Sequence, residues 1–273
     1  MLPPSSQPDN PDSAQPPLAM LQESSHTPTA HHLPLVGITT DLDDHANGLR
    51  IFSYRNYARA ILAAGGVPIF VPPEPEAIAS YISRCDAFVL AGGDDPATEP
   101  YGVPTSPAAS PLVHPDRQAF EHALLVALAT QAPDLPVLGV CLGMQMMALV
   151  AGGRLEQDMQ KTCPTYAQHW EAYHEVRPVA PPPQQNQPRN LSPIPTGSVR
   201  SKHHQAVADP GHMRIIARAP DSIVEAIDDP TRRFYLGVQW HPERTQSPGV
   251  GLGIYTSLVR AAIATMQTKD VCG

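Results

Sequence analysis

Ten residues near the middle of the chain read Pro136-Val137-Leu138-Gly139-Val140-Cys141-Leu142-Gly143-Met144-Gln145. The short apolar run after the proline predicts a buried strand, and the residues from Met144 onward predict a helix. Cys141 therefore falls on the turn between them, which is where a nucleophile elbow carries its nucleophile. Gly139 and Gly143 lack a Cβ where the backbone must turn sharply and a neighbour must come close. The competing interpretation is a structural cysteine in a buried strand.

Strands and helices alternate on the N-terminal side of this stretch. The predicted strands are residues 35–39, 67–71 and 87–91, and the predicted helices are residues 54–64, 74–84 and 114–131. Such alternation predicts parallel strands with ligand sites beyond their carboxyl ends, and Cys141 also lies at such an end. Two polar segments that follow strands, residues 41–50 and 94–113, are predicted to be loops at the same edge.

Candidate strands follow one another without intervening helices in the C-terminal part. They are residues 174–179, 213–217, 223–227 and 234–239, and a final helix is predicted over residues 251–266. A run of strands without helices predicts antiparallel additions to the sheet. The predicted fold class is therefore α/β, with a mostly parallel sheet, helices on both faces and antiparallel additions in the C-terminal part.

The chain has 273 residues, of which 42% are hydrophobic, and this suits one sizeable domain. Residues 1–33 are rich in Pro, Ser, Gln and Asp and lack the basic start of a secretory signal, so we expect a disordered tail. The folded domain is predicted over residues 34–268. Residues 178–195 are rich in Pro and Gln and are interpreted as a surface insertion within it.

Composition excludes several classes of partner. The formal net charge is -8 and no segment gathers Lys or Arg, so nucleic acid is not an expected partner. No apolar run approaches the roughly 20 residues of a membrane helix. The four cysteines, at positions 85, 141, 163 and 272, form no CxxC pair, which argues against a disulfide framework or a zinc site. We expect a cytoplasmic protein without cofactor or metal.

His241 and Glu243 complete a candidate catalytic set with Cys141. The positive end of a helix dipole favours the thiolate form of a cysteine. Residues i and i+2 of an extended backbone share a face, so Glu243 can orient the imidazole of His241. These residue types support acyl transfer through a thioester. The candidate donors of the oxyanion hole are the backbone amides of Leu142 and Gly93.

Two motifs resemble the class I glutamine amidotransferase-like superfamily: GVCLGMQ at residues 139–145 and GVQWHPE at residues 237–243. Within it, the chain is similar to the γ-glutamyl-γ-aminobutyrate hydrolase family at AGGDDP (91–96), GGRLEQD (152–158), HEV (174–176), SKHHQA (201–206) and IVEAI (223–227). The resemblance implies a flavodoxin-like sheet and a Cys141-His241-Glu243 triad. It also implies hydrolysis of γ-glutamyl amides, such as γ-glutamyl-GABA or related amines, to glutamate and an amine in polyamine catabolism.

Four side chains in the matched stretches are candidate substrate contacts: Asp95, Gln145, His203 and His204. Neighbouring strand residues point to opposite faces, so spacing alone favours a structural or loop-positioning role for the two histidines over a shared metal. Asp95 could instead cap a turn.

The chain departs from the family pattern at three positions. Leu142 stands where arginine is common, Gln118 replaces an aspartate and Arg200 replaces an asparagine. These departures leave the triad intact and bear on which amine is accepted.

Three other functions compete with this interpretation. A glutaminase component could pass ammonia to a synthetase partner, and a binding or regulatory protein could use the same fold. In the chain order of an α/β-hydrolase, the acid would be one of four aspartates between the nucleophile and the histidine: Asp209, Asp221, Asp228 or Asp229. A homodimer is possible, and the amine half of the substrate stays open.

Overall fold

The computed structural model describes residues 32–109, 111–179 and 194–272. The predicted N-terminal tail, apart from residues 32 and 33, lies outside these described residues. So does most of the predicted insertion, residues 180–193.

A nine-stranded sheet forms the centre of the described domain. The strands of the chain are β1 (Leu35–Thr39), β2 (Asp41–His45), β3 (Gly48–Phe52), β4 (Val67–Val71), β5 (Ala87–Leu90), β6 (Val137–Val140), β7 (Arg154–Glu156), β8 (Ala172–Pro178), β9 (Gly197–Ser201), β10 (Ala206–Asp209), β11 (Arg214–Arg218), β12 (Val224–Asp228) and β13 (Tyr235–Val238). The order in the large sheet is β4-β1-β5-β6-β13-β12-β11-β8-β9. The pairs from β4 to β13 are parallel, and the remaining pairs are antiparallel.

Helices cover both faces of this sheet. They are α1 (Arg55–Ala63), α2 (Ile78–Arg84), α3 (Pro115–Gln131), α4 (Leu142–Val150), α5 (Met159–Thr162) and α6 (Leu252–Cys272). One buried apolar cluster joins α1 and α6 to the sheet, and a second joins α2, α3 and α4 to it. The predicted α/β class, with helices on both faces and antiparallel additions, is confirmed.

Two features differ from the sequence expectations. Residues 41–50, predicted to be a loop, belong to an antiparallel hairpin of β2 and β3. Its side chains are mostly polar or exposed, so the alternation that marks a half-buried strand is missing. The sequence predicts the last strand, β13, as one of the antiparallel additions. It is instead parallel to β6, with Tyr235 opposite Val137. It is antiparallel only to β12, its neighbour on the other side.

The parallel strands bring the candidate site together. Gly92 and Gly93 follow β5, Cys141 follows β6 and His241 lies just beyond β13, so all four residues lie at the carboxyl edge of adjacent strands. This is the edge at which open α/β sheets bind ligands. Among the described residues, no helix is both long enough and apolar enough to cross a membrane.

Candidate active site

Cys141 lies on a strained turn between β6 and α4. Its backbone has φ 50° and ψ -104°, a conformation that residues other than glycine adopt rarely. The turn is held from the sheet, because the Cys141 N–H donates to the Val238 carbonyl at 2.8 Å. It is also crowded, since a Cβ on Gly139 would lie 2.7 Å from the Gly143 carbonyl carbon. The side chain is presented at the first turn of α4, and the residue is 5% exposed.

Glu243 is the carboxylate that bonds His241. The distance between His241 Nδ1 and Glu243 Oε1 is 2.8 Å, and the Glu243 side chain is buried. The backbone around the imidazole is fixed as well: the His241 N–H donates to the Arg200 carbonyl at 2.9 Å. Because Glu243 bonds Nδ1, Nε2 of His241 is the nitrogen available to a reacting group.

The aspartates of the alternative chain order are engaged elsewhere. Asp221 pairs with His169 at 2.8 Å, and Asp228 binds Arg214 at 2.8 Å. Asp209 lies beside the exposed Arg154, and Asp229 accepts from Thr231. The geometry therefore favours Glu243 as the partner of His241.

The electrostatic surroundings of His241 favour its protonated form. Burial alone would lower the pKa of His241, but the charges of Glu243 and Cys141, together with hydrogen bonds to both, outweigh burial and raise the pKa to about 10. The imidazole therefore holds its proton through neutral pH and can give it to a leaving group.

The Gly92-Gly93 turn packs directly against Cys141 and His241. A Cβ on Gly92 would lie 3.0 Å from His241 Cε1 and 3.4 Å from Cys141 Cβ. The Gly92 N–H donates to the Tyr57 hydroxyl at 2.9 Å, so the next amide, that of Gly93, is the candidate oxyanion donor. Gly93 also faces the Leu142 side chain, which a Cβ would approach to 3.0 Å.

Arg117 supports the Gly92-Gly93 turn from the side away from Cys141, a role that no motif in the sequence indicates. Its buried guanidinium donates to the carbonyls of Ala91 at 2.7 Å and Gly92 at 3.2 Å. It also pairs with Asp41 at 2.6 Å and Glu121 at 3.1 Å. A buried charge needs such compensation, and here the compensating carboxylates fix the guanidinium against the turn.

Gln239 lies within the GVQWHPE motif but is not among the site residues that the sequence predicts. It stands two residues before His241, and its side-chain amide donates to Cys141 Sγ at 3.6 Å. The signal in the sequence was the strand period, because residues i and i+2 share a face.

The four candidate substrate contacts separate into two groups. Asp95 and His204 pair at 2.9 Å, and the exposed Trp170 ring stacks on His204 with ring centroids 4.9 Å apart. Gln145 and His203 contact other residues, and both are buried, as Asp95 also is. Gln145 donates to the Gln205 carbonyl at 3.1 Å, while His203 faces away from His204 toward Glu225.

A family model described as peptidase C26 matches residues 34–243. The chain belongs to the peptidase C26 family. This membership confirms the resemblance to class I glutamine amidotransferase-like proteins and indicates hydrolase chemistry.

Two curated relatives are similar to this chain in sequence, and one solved structure is similar to it in fold. A glutamine amidotransferase-like protein of Rickettsia prowazekii is 30% identical over 84% of this chain and 98% of its own length. The γ-glutamyl-γ-aminobutyrate hydrolase PuuD of Escherichia coli K12 is 29% identical over 70% of this chain and 78% of its own length. The glutaminase domain of Trypanosoma brucei CTPS, solved with bound acivicin, has a TM-score of 0.59 at 17% identity and covers 85% of this chain and 94% of that chain. That likeness concerns the fold.

The departures from the γ-glutamyl-γ-aminobutyrate hydrolase pattern have local structural explanations. The Leu142 side chain is 1% exposed and packs in the core below the turn, so it offers no charge to a ligand. Gln118 binds both backbone polar groups of one residue: it accepts from the Ala97 N–H at 2.9 Å and donates to the Ala97 carbonyl at 2.7 Å. An ionised aspartate could only accept there. Arg200 pairs with Glu171 at 2.6 Å.

Proposed function

We propose that this C26 chain is a cysteine-dependent hydrolase of γ-glutamyl amide bonds, with Cys141, His241 and Glu243 as its catalytic residues. The observation that carries the proposal is the placement of a cysteine on a strained turn, beside a histidine that a buried glutamate orients at 2.8 Å. The relation to PuuD supports a γ-glutamyl amine as the substrate class.

In the first half of the reaction, the Cys141 thiolate attacks the γ-carbonyl carbon and forms a C–S bond. The carbonyl π electrons move to oxygen, and the oxyanion is stabilised by the amides of Gly93 and Leu142. When the oxyanion collapses, the C–N bond breaks and His241 gives its proton to the leaving nitrogen. The products of this half are a free amine and a γ-glutamyl thioester on Cys141.

In the second half, water attacks the thioester and the neutral His241 accepts its proton. The C–S bond breaks, glutamate leaves and the thiolate is restored. Glu243 holds the imidazole in one tautomer and stabilises the imidazolium in both halves. The net reaction consumes one water and one amide and needs no other reactant.

Asp95 and His204 are the proposed contacts to the substrate. Asp41, Asp94 and Asp95 lie near one another: burial, and then the charges of Asp41 and Asp95, raise the pKa of Asp94 against the opposing charges of Arg117 and His204. Such a region suits an ammonium group, and a γ-glutamyl compound carries one on its α-carbon.

Arg117 is proposed as a positioning residue for the oxyanion turn. Replacing Arg117 by lysine keeps the charge but removes the planar fork that binds two carbonyls and two carboxylates. We expect kcat to fall roughly 10- to 100-fold with little change in KM, because a small displacement of the Gly93 amide weakens binding of the oxyanion more than of the substrate. Steady-state kinetics measures kcat and KM, and a melting curve shows whether the variant is folded.

The matched control for this variant is Arg154→Lys, since Arg154 forms an exposed pair with Asp209. It should leave kcat unchanged. A wild-type kcat in folded Arg117→Lys would show that the turn keeps its geometry without the guanidinium.

The substrate class is tested by glutamate release from γ-glutamyl-GABA, other γ-glutamyl amines, γ-glutamyl peptides and free glutamine. We expect turnover of one or more γ-glutamyl amines without any added protein. Turnover of glutamine alone, and only with a synthetase partner, would instead establish the glutaminase component. No release from any of these compounds would support a binding or regulatory protein.

A further inference from the structure

Three histidines and a glutamate converge in the antiparallel part of the sheet. They offer one ligand atom each, and these four atoms all lie within 4.8 Å of one another: His169 Nδ1, His174 Nε2, His203 Nε2 and a carboxylate oxygen of Glu225. All four residues are buried. They come from separate parts of the chain: the segment before β8, β8 itself, the loop after β9, and β12.

The outward-facing nitrogen of each imidazole meets a hydrogen-bond acceptor. These contacts are His169 Nε2 to Asp221 Oδ2 at 2.8 Å, His174 Nδ1 to the Glu175 carbonyl at 3.1 Å, and His203 Nδ1 to the Gln205 carbonyl at 2.9 Å. A ring nitrogen that faces an acceptor carries the proton, so each neutral ring turns a lone pair inward. The same pattern, with the second nitrogen bound to a carboxylate or backbone carbonyl, fixes metal-binding histidines.

The inward-facing atoms are therefore all acceptors, and they crowd together. Glu225 Oε1 lies 3.3 Å from His169 Nδ1, 3.3 Å from His174 Nε2 and 3.7 Å from His203 Nε2. His169 Nδ1 and His203 Nε2 are 3.3 Å apart. Among the described residues, neither carboxylate oxygen of Glu225 nor Nε2 of His174 has a hydrogen-bond partner. Buried acceptors in this arrangement need a cation at their centre or extra protons on the imidazoles to balance them.

The distances and charges suit one kind of cation. Ligands about 2.0–2.1 Å from a tetrahedral zinc ion lie about 3.3 Å apart, which is close to the separations of these atoms. Imidazole nitrogens with one carboxylate are ligands that zinc accepts readily. Glu225 among the ligand atoms and Asp221, which bonds the outward nitrogen of His169, together carry the two negative charges that balance a divalent ion.

We propose that His169, His174, His203 and Glu225 form a structural zinc site. The protein supplies four ligands from buried positions, so the site is closed and the ion acts on structure, not as a Lewis acid toward substrate. No metal is expected from the sequence, because the adjacent His203 and His204 cannot easily bind one ion. His203 and His204 do diverge, and the partners of His203 are distant in sequence.

The proposed ion would fix the loop beneath the nucleophile. His203 belongs to residues 202–205, between β9 and β10. The Lys202 carbonyl lies 3.8 Å from Cys141 Sγ, and the Gln205 carbonyl accepts from Gln145 at 3.1 Å. A metal bound to His203 would therefore hold both carbonyls in place from the opposite side of the loop.

The test is metal analysis of the tag-free full chain, produced in zinc-supplemented medium and passed through a desalting column. We expect about one zinc per chain in the wild type and less than a tenth of that in His174→Gln. His212→Gln is the matched control, since His212 is exposed and its side chain bonds the Ala151 carbonyl. This variant should hold as much zinc as the wild type. Removal of zinc with dipicolinate should lower the wild-type melting temperature, and added zinc should restore it.

A second measurement needs no variant. Cobalt(II) added to the zinc-free wild type should give the intense visible bands of a four-coordinate ion. The proposal is overturned if the wild type holds no zinc and added zinc leaves its melting temperature unchanged, which would show that protons balance the cluster. Weak octahedral cobalt bands, or full zinc content in folded His174→Gln, would also overturn it.

Discussion

Replacement of Cys141 by alanine should lower the rate of γ-glutamyl amide hydrolysis by at least about 10⁴-fold, because removing the nucleophile of a triad leaves only binding and the oxyanion hole. Substrate binding should survive, since the Gly93 amide and the Asp95-His204 pair are unchanged. Glutamate release measures the first effect, and calorimetry with the unreacted substrate measures the second. Iodoacetamide should alkylate the wild type at Cys141 and leave the variant unlabelled at that position.

The control is Cys85→Ala. Burial, with a smaller contribution from Asp86, raises the pKa of Cys85 to about 11, so this thiol stays protonated and inert at neutral pH. We expect nearly full turnover in this variant. Equal losses in both cysteine variants would mean that the loss reflects packing, and substantial turnover in Cys141→Ala would remove Cys141 from the mechanism.

Replacement of Glu243 by glutamine should lower kcat by about 10²- to 10⁴-fold, because an amide can hold the imidazole in the wrong tautomer and cannot stabilise the imidazolium. It should also change the pH profile. The reaction needs protonated His241, so wild-type activity should fall as pH rises through about 10. Loss of the Glu243 charge lowers the pKa of His241, and the alkaline limb should therefore move to lower pH. The profile of kcat/KM measures this shift.

Glu175→Gln is the control for this second variant, because Glu175 forms an exposed pair with Arg177. It should change neither kcat nor the pH profile. Unaltered turnover in Glu243→Gln would point to an acid elsewhere and favour the α/β-hydrolase order.

The elbow and the alternation of strands and helices could be predicted because their signals are local. The apolar run before Cys141, the flanking Gly139 and Gly143, and the period of the strand that leads to His241 are all contained in short stretches. Glu243 is predicted beside His241 on the assumption of an extended backbone, whereas residues 242–244 form a 3₁₀ turn that still brings the carboxylate to Nδ1. The direction of β13 was missed, since pairing partners are not written in a strand's own sequence, and β7, β9 and β10 were not predicted.

The supporting residues could not be predicted, because their roles depend on contacts between distant segments. Arg117 lies on α3 but acts on the turn after β5 and pairs with Asp41 on β2. The cluster around Glu225 draws its histidines from three separate segments. The β2-β3 hairpin was not predicted for another reason. It buries little surface, so its sequence shows no alternation of apolar and polar residues.

The backbone conformation that presents the Cys141 thiol also lowers the stability of the folded chain. Its left-handed φ of 50° costs on the order of 1–3 kcal/mol, a noticeable share of the roughly 5–15 kcal/mol by which domains are stable. Glycine at this position would relieve the strain, so a lineage that used this fold only to bind a ligand would gain stability by losing the thiol. A Cβ in this strained conformation has a physical reason where the thiol reacts and none where the fold only binds a ligand.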